Sequence, residues 1–490
     1  MGYCLSPYNG RPKAAFRAVF QGRPVLFPRP LVLFLLICFL AQSAFFPARA
    51  AIFGEFTLKD ELELGRKFNI LIRTRMPLVQ DPEVVDYITE IVARLAKNIP
   101  PQPYPFTTSV IRHNALNAFA CPGGYIFVHT GLILAMRHES ELAAVIAHEL
   151  AHISQRHIGR RIEQSQIVGL LSLLGALAGA FIGGEGGAAA MTGAVAAGQA
   201  AILSYSRSDE AEADQVGMNY LVKAGYPAQG MVGAFEIIGR RQWFMGSTLP
   251  SYLSTHPGVA DRIQDMSIRL RRLPASLRNQ KDSDSRFLRV QALTRARYSP
   301  PEIAEQAFAE QMNTDNRCMA LMGQGILDAR LNHVPEAGAA FQEAMACDPQ
   351  DELIIREAGR FHYTKGNRNT GARLLQQAVS MNRKDIMAIF FYARCLGDAG
   401  NNKLAIDYTR EVLRAVPEDA EVHTLLAHYY GADKQMFNAN LHMAYGALYE
   451  NNRKRVEQFF GKAKDLAKTA DEKARVERFS NEYKDRQEFW

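Results

Sequence analysis

The stretch Val145-Ile146-Ala147-His148-Glu149-Leu150-Ala151-His152 lies inside an apolar-periodic run that reads as one long helix from about Ser140 to Ile162. On a helix, two histidines four positions apart share a face one turn from each other, so His148 and His152 can bind one metal ion. Glu149 falls beside them, where a carboxylate can take a proton from a bound water and later hand it to a leaving amine. Catalytic zinc usually takes three protein ligands and keeps one position open. A further histidine six residues on would complete one known pattern, but Ile158 stands there, and His157 is one residue short and on another face. The alternative is a carboxylate from a later helix. Asp209-Glu210-Ala211-Glu212-Ala213-Asp214 opens a helix predicted from near Ser208 to Ala224, stopped by Gly225-Tyr226-Pro227. Glu210 can reach the metal while Asp214, one turn on, can hydrogen-bond a ligand imidazole and fix its tautomer. Glu212 points roughly 160° away and is the weaker ligand candidate.

Upstream, helices are predicted over Asp60–Met76 and Val84–Ala96, and Pro100, Pro101, Pro103 and Pro105 then interrupt regular structure. Thr107–Arg112 and Tyr125–His129, around Pro122-Gly123-Gly124, predict a small antiparallel sheet with a tight turn. Residues 167–203 are rich in Gly, Ala and Leu and split at Gly183–Gly187. They read as a paired-helix flap, with a membrane-dipping hairpin as the alternative. From Arg269 to Arg297 the chain turns polar and basic, which reads as a linker.

Beyond Ser299 a period emerges. Gly325 and Gly359, and Ala344 and Ala378, are 34 residues apart, and Pro349 and Pro417 are 68 apart. That is the spacing of tetratricopeptide repeats, whose helix pairs stack into a solenoid that grips extended segments or partner proteins. A degenerate last unit runs from about Asn438 to Lys468.

The chain has 490 residues, 48% hydrophobic and 22% charged, which excludes a disordered, collagen-like or wholly membrane-spanning protein. Its net charge of +7 is concentrated in residues 1–50, which hold six of the 57 bases and no acid; the rest is close to neutral, so no electrostatic case for nucleic acid remains. Those 50 residues read as a secretory signal peptide: basic to Arg29, apolar from Leu31 to Phe46, then Pro47-Ala48-Arg49-Ala50, with cleavage expected after Ala50. Cys121, Cys318, Cys347 and Cys395 remain in the mature chain, too sparse for a disulfide scaffold, with room for one pairing in the C-terminal half.

His148 to His152, Glu210 to Asp214, Asn117-Ala118-Phe119-Ala120, Pro122-Gly123-Gly124-Tyr125-Ile126-Phe127-Val128 and Ser206-Arg207 together resemble the HtpX/CAAX-prenyl-protease zinc peptidase family. With a signal peptide and tandem repeats, the chain is similar to the soluble periplasmic branch of that family. The family pattern also includes a Thr-His-Pro segment, matched by Thr255-His256-Pro257 and followed by Asp261-Arg262. His256 then has two options: to donate to a developing oxyanion, or to occupy zinc's open position and hold the enzyme latent. Tyr125, Ile126, Phe127 and Val128 are expected as an edge strand that pairs with an extended substrate, a buried core strand being the other reading. The remaining histidines, His157 among them, show no ligand spacing and read as structural or exposed.

The expected fold is mainly α: a zincin-like α+β metallopeptidase domain with a small sheet, followed by an all-α tetratricopeptide-repeat solenoid. The divisions are a signal peptide over 1–50, peptidase domain over 51–270, linker over 271–298 and repeat domain over 299–490. The resemblance implies one Zn2+ per chain and a periplasmic endopeptidase acting on unfolded or stalled outer-membrane β-barrel proteins and their assembly machinery. Peripheral membrane association stays open. The alternatives are a chaperone or adaptor with a latent zinc site, and an integral membrane peptidase with residues 167–203 inserted.

Overall fold

The computed structural model describes residues 56–164, 170–181, 205–244, 252 and 255–490. Thr57 opens α1 (Leu58–Arg75) with a capping box to Asp60, and Asp81 opens α2 (Pro82–Ala96) by accepting from the Glu83 amide, with proline in the first turn. α2 buries Val84, Tyr87, Ile88, Ile91 and Leu95, a stripe at three- and four-residue spacing. Three strands come next in the chain, β1 (Thr107–Ile111), β2 (Ala118–Cys121) and β3 (Tyr125–His129), in the sheet order β1-β3-β2. The sheet is mixed. β3 runs parallel to β1 and antiparallel to β2, so the expected antiparallel pairing of 107–112 with 125–129 is corrected. The turn at Gly123 and Gly124, with φ of 81° and 85°, instead joins β3 to Ala118–Cys121, whose small residues hid a strand.

Next come α3 (Thr130–Ala135), α4 (Glu139–Ser154), α5 (His157–Gln164), α6 (Leu170–Phe181), α7 (Arg207–Lys223), α8 (Gln229–Phe244) and α9 (Val259–Arg272). The helix expected to continue to Ile162 ends at Ser154, because Arg156 adopts a left-handed φ of 52° and starts α5 in a new direction. The leader over 1–50, Gly183–Gly187 and most of the expected flap lie outside the described residues. Among the described residues no helix is long and apolar enough to cross a membrane.

The expected linker over 271–298 is largely helical: α10 (Ala275–Arg278) precedes α11 (Ser285–Tyr298), which buries Phe287, Val290 and Leu293. The chain continues through α12 (Pro301–Gln311), α13 (Arg317–Leu331), α14 (Val334–Cys347), α15 (Glu352–Thr364), α16 (Arg368–Met381), α17 (Ile386–Asp398), α18 (Asn402–Ala415), α19 (Ala420–Ala432), α20 (Met436–Tyr449), α21 (Arg453–Leu466) and α22 (Ala470–Gln487). From α13 on, successive helices pack as pairs that stack on the next pair. The period of 34 has a direct physical meaning. A Cβ added at Gly325 would meet the Phe341 ring at 3.0 Å, and one at Gly359 would meet Leu375 at 3.0 Å, so the same close approach recurs in successive units. Cys318 and Cys347 form a disulfide that ties α13 to α14, while Cys121 and Cys395 are free.

One hydrophobic core runs without interruption from α2 through α11 into the repeats as far as Val422. Buried ion pairs join the same surfaces: Arg297 to Asp81 and Glu357, and Arg356 to Glu83, Glu357 and Asp385. At its far end α22 returns to α1 through Arg66–Asp485 at 2.5 Å and Lys67–Glu488 at 2.6 Å. The chain's own N-terminal helices therefore pack against the repeats.

His129, at the end of β3, is 3% exposed, and burial, then the neighbouring His113, pushes it down to about 3, with the Ala115 backbone only partly offsetting them. Because the unfolded chain takes up this proton near 6.5, the stability present above that pH is lost progressively as pH falls from about 6.5 to about 3. Between pH 7 and 5 the loss is about 2 kcal/mol. His129→Phe is expected to flatten that slope; urea unfolding of both proteins at the two pH values measures it, and an unchanged slope would refute the assignment.

Candidate metal centre

α4 carries the first two site histidines, and its N-terminus is held by acids. The Glu141 carboxylate turns back to the Arg137 and His138 amides at 2.6 and 3.3 Å, while Asp284 and Asp282 accept from the Glu139 and Ser140 amides at 2.8 and 3.1 Å. Behind α4 lies α7, capped by a Ser206–Asp209 capping box. Gly217 brings the two helices close: a Cβ there would stand 3.1 Å from His148 Cα. That approach, with Glu210 and Asp214 one turn apart, turns both carboxylates toward the histidines of α4.

Four donors converge. His148 Nε2 lies 2.9 Å from His152 Nε2, 3.3 Å from His256 Nδ1 and 3.5 Å from Glu210 Oε2. Glu210 Oε1 lies 3.4 Å from His152 Nε2 and 3.0 Å from His256 Nδ1. Ligand atoms about 2.0–2.1 Å from a tetrahedral zinc are roughly 3.3–3.4 Å apart, so these separations are close to the edges of such a shell. Three imidazoles and a carboxylate are the donor types zinc takes, and the residues present fit the ion. Glu149 stands beside them, with Oε1 3.5 Å from His256 Nε2, and neither of its carboxylate oxygens has a hydrogen-bond partner.

The surroundings set the charges. Burial, eased by His256 and His148, raises the Glu149 carboxyl above its usual range, which suits a group that must both take and give a proton. Burial also opposes the Glu210 charge, but His256, His148 and His152 outweigh it and hold its pKa well below normal. Burial and Arg262 push His148 down, yet Asp214 and Glu210 prevail and bring it to about 9 in the metal-free protein. Asp214 reaches His148 Nδ1 at 2.9 Å and is itself clamped by Arg262 through Nε at 2.8 Å and a terminal nitrogen at 2.7 Å.

The site is sealed. His148, Glu149 and His256 are 0% exposed, and the adjoining cavity, lined by Ala120, Cys121, His152, Arg156 and Tyr205, has a volume of about 10 Å³, room for one water at most. Two aromatic rings close it. Tyr205 stacks on His152 with centroids 3.7 Å apart, and Tyr252 stacks on His256 at 4.3 Å. The Tyr205 amide donates to the Thr255 carbonyl at 3.3 Å, joining the two segments that carry these rings.

The structure thus brings together His148, Glu149, His152, Glu210 and His256, with Asp214 behind His148. Tyr125, Ile126, Phe127 and Val128 are not an edge: β3 is the central strand, its backbone groups facing β1 on one side and β2 on the other, so the expected substrate strand is corrected. The strand flanking α4 is β2, an edge whose Ala120 backbone lies near Glu149 and offsets a small part of the rise that burial imposes on its carboxyl. Sequence reasoning did not single out Tyr205 or Tyr252, which carry no spacing signal, and gave no role to Arg262. It also set aside His157 and Glu212, which contact the site from behind.

A helix-borne HExxH pair, a carboxylate from a second helix and a buried glutamate beside them define a metallopeptidase centre. Residues 82–270 match the model of peptidase family M48. The chain is 26% identical over 341 residues to the beta-barrel assembly-enhancing protease of Escherichia coli (strain K12), covering 68% of this chain and 69% of that one. To the corresponding protein of Vibrio cholerae it is 37% identical over 221 residues, 44% of this chain and 46% of that one, so less than half of that relative's length is spanned. Among solved structures, Pseudomonas aeruginosa pilF matches 40% of this chain and 96% of its own at 13% identity, with a TM-score of 0.30.

Proposed function

We propose that the chain is a zinc-dependent endopeptidase of the periplasm, with a peptidase domain over 51–270 and a repeat domain over 299–490. Its clients are unfolded or stalled outer-membrane β-barrel proteins and their assembly machinery. The observation that carries the reading is the convergence of His148, His152, Glu210 and His256 with an unpartnered, buried Glu149 beside them. His148, His152 and Glu210 hold the ion. Bound zinc supplies Lewis acidity to a peptide carbonyl and to water. Glu149 takes the proton of the attacking water and passes it to the leaving nitrogen, its raised pKa easing both transfers. β2 offers the backbone edge along which an extended substrate can lie beside α4. The partner class rests on the names of the relatives and the presence of a solenoid. The periplasm is supported by the leader pattern and by the Cys318–Cys347 disulfide, a bond that persists in oxidising compartments.

The metal content tests this directly. Mature protein, residues 51–490, is expected to hold one zinc per chain by elemental analysis, and His148→Ala to hold almost none. Equal zinc in both would sink the assignment. Uptake of zinc by the apoprotein at pH 7 is also expected to release about one proton, because a ligand must be deprotonated and His148 sits at about 9. A chaperone or adaptor with a latent zinc site is the second reading, favoured by the complete burial of the centre.

A further inference from the structure

His157 is 0% exposed, and its Nδ1 lies 2.7 Å from Nδ1 of His152. Its other nitrogen, Nε2, lies 3.2 Å from Glu212 Oε2, an oxygen that also accepts from Arg160 at 2.9 Å. In a continuing helix, a residue five positions after His152 would face roughly 140° away from it. The left-handed turn at Arg156 brings His157 back, and Glu61 pins that arginine at 2.8 Å. The ring planes of His152 and His157 cross at 73° with centroids 4.8 Å apart, so the contact runs from nitrogen to nitrogen and not between ring faces.

The protons along this line can be assigned in order. An ionised carboxylate only accepts, so His157 carries its proton on Nε2, donates it to Glu212 and presents a lone pair at Nδ1. That lone pair accepts the N–H of His152 Nδ1. His152 is then left with a lone pair on Nε2, the atom that belongs to the four-donor cluster. The two ligand histidines are therefore served differently: Asp214 contacts His148 directly at 2.9 Å, whereas Glu212 acts on His152 through a second imidazole.

We propose that Glu212 and His157 form an orienting relay for the metal centre: Glu212 sets the tautomer of His157, His157 sets that of His152, and Nε2 of His152 is thereby kept free to bind zinc. Both are positioning residues. The relay rests on the reading of His152 as a zinc ligand, and partners that orient ligand histidines typically contribute 10- to 100-fold to metal affinity.

Zinc affinity, measured on the mature protein by competition with a chromophoric chelator, tests the relay without reference to catalysis. Glu212 is 40% exposed at its side chain, so Glu212→Ala leaves the core untouched. Glu212→Ala is expected to weaken zinc about 10-fold, and His157→Phe, which fills the same space without an acceptor, about 10- to 100-fold. Glu212→Gln keeps an oxygen that accepts from His157 and is expected to stay within about threefold of wild type. Wild-type affinity in both Glu212→Ala and His157→Phe would overturn the relay while leaving the zinc site standing. Equal losses in Glu212→Ala and Glu212→Gln would also overturn it, since a lost carboxylate charge and not an acceptor would then be responsible. If wild-type protein bound no zinc, or His152→Ala bound it as tightly as wild type, the relay and the metallopeptidase reading would fall together.

Discussion

Glu149→Gln is expected to lower hydrolysis of an unfolded protein by about 10²- to 10⁴-fold, the usual worth of a positioned acid–base group. Its zinc content should be unchanged and its thermal stability should not fall. Glu149 is completely buried, and neither carboxylate oxygen has a hydrogen-bond partner. A charge in that position destabilises the fold and is kept for another reason. Glutamine preserves the volume and removes the proton acceptor, so activity should fall while the melting temperature holds or rises. Activity within threefold of wild type would mean that another group moves the proton. A loss of activity accompanied by loss of zinc would place Glu149 among the groups that hold the metal.

His256→Ala should act in the opposite direction. Its Nδ1 sits with the atoms of His148, His152 and Glu210, where it could take the position that a catalytic zinc keeps for water. The ring is stacked on Tyr252 and shares a buried layer with Tyr205, 5.0 Å away. If this arrangement keeps the competent form to a tenth of the molecules or less, removing the imidazole raises cleavage by about 10-fold or more. The sign decides between two roles. A rise means that His256 holds the centre latent. A fall of about 10²-fold or more, with zinc retained, means that it stabilises the oxyanion instead. Cleavage of a fluorescently labelled unfolded protein by both forms at equal zinc content measures the sign.

What the sequence revealed of this centre was its helical periodicity. His148 and His152, and Glu210 and Asp214, are each four apart on a helix, and the spacing alone orients each pair. What it concealed depended on backbone geometry or strand order. Tyr125–Val128 has the stronger β character, and it became the central strand, while Ala118–Cys121, mostly small residues, became the edge. Composition speaks of burial and not of position within a sheet. His157 was hidden by the left-handed turn at Arg156, a conformation that no glycine announced. Residues 271–298 read as linker because the stretch from Arg269 to Arg297 is polar and basic; within it Phe287, Val290 and Leu293 keep helical spacing, and Arg289 and Arg297 pair with acids across the junction. The repeats were legible because their packing needs small residues in phase, and Gly325 and Gly359 supply them at the same step of successive units.

The most direct test of the account is reversible dependence on the metal. Mature protein with His256→Ala would be assayed for cleavage of casein, stripped of metal by a chelator, assayed again, and resupplied with one equivalent of zinc. The account predicts that cleavage disappears on stripping and returns with zinc. Cleavage that survives complete removal of the metal would contradict it.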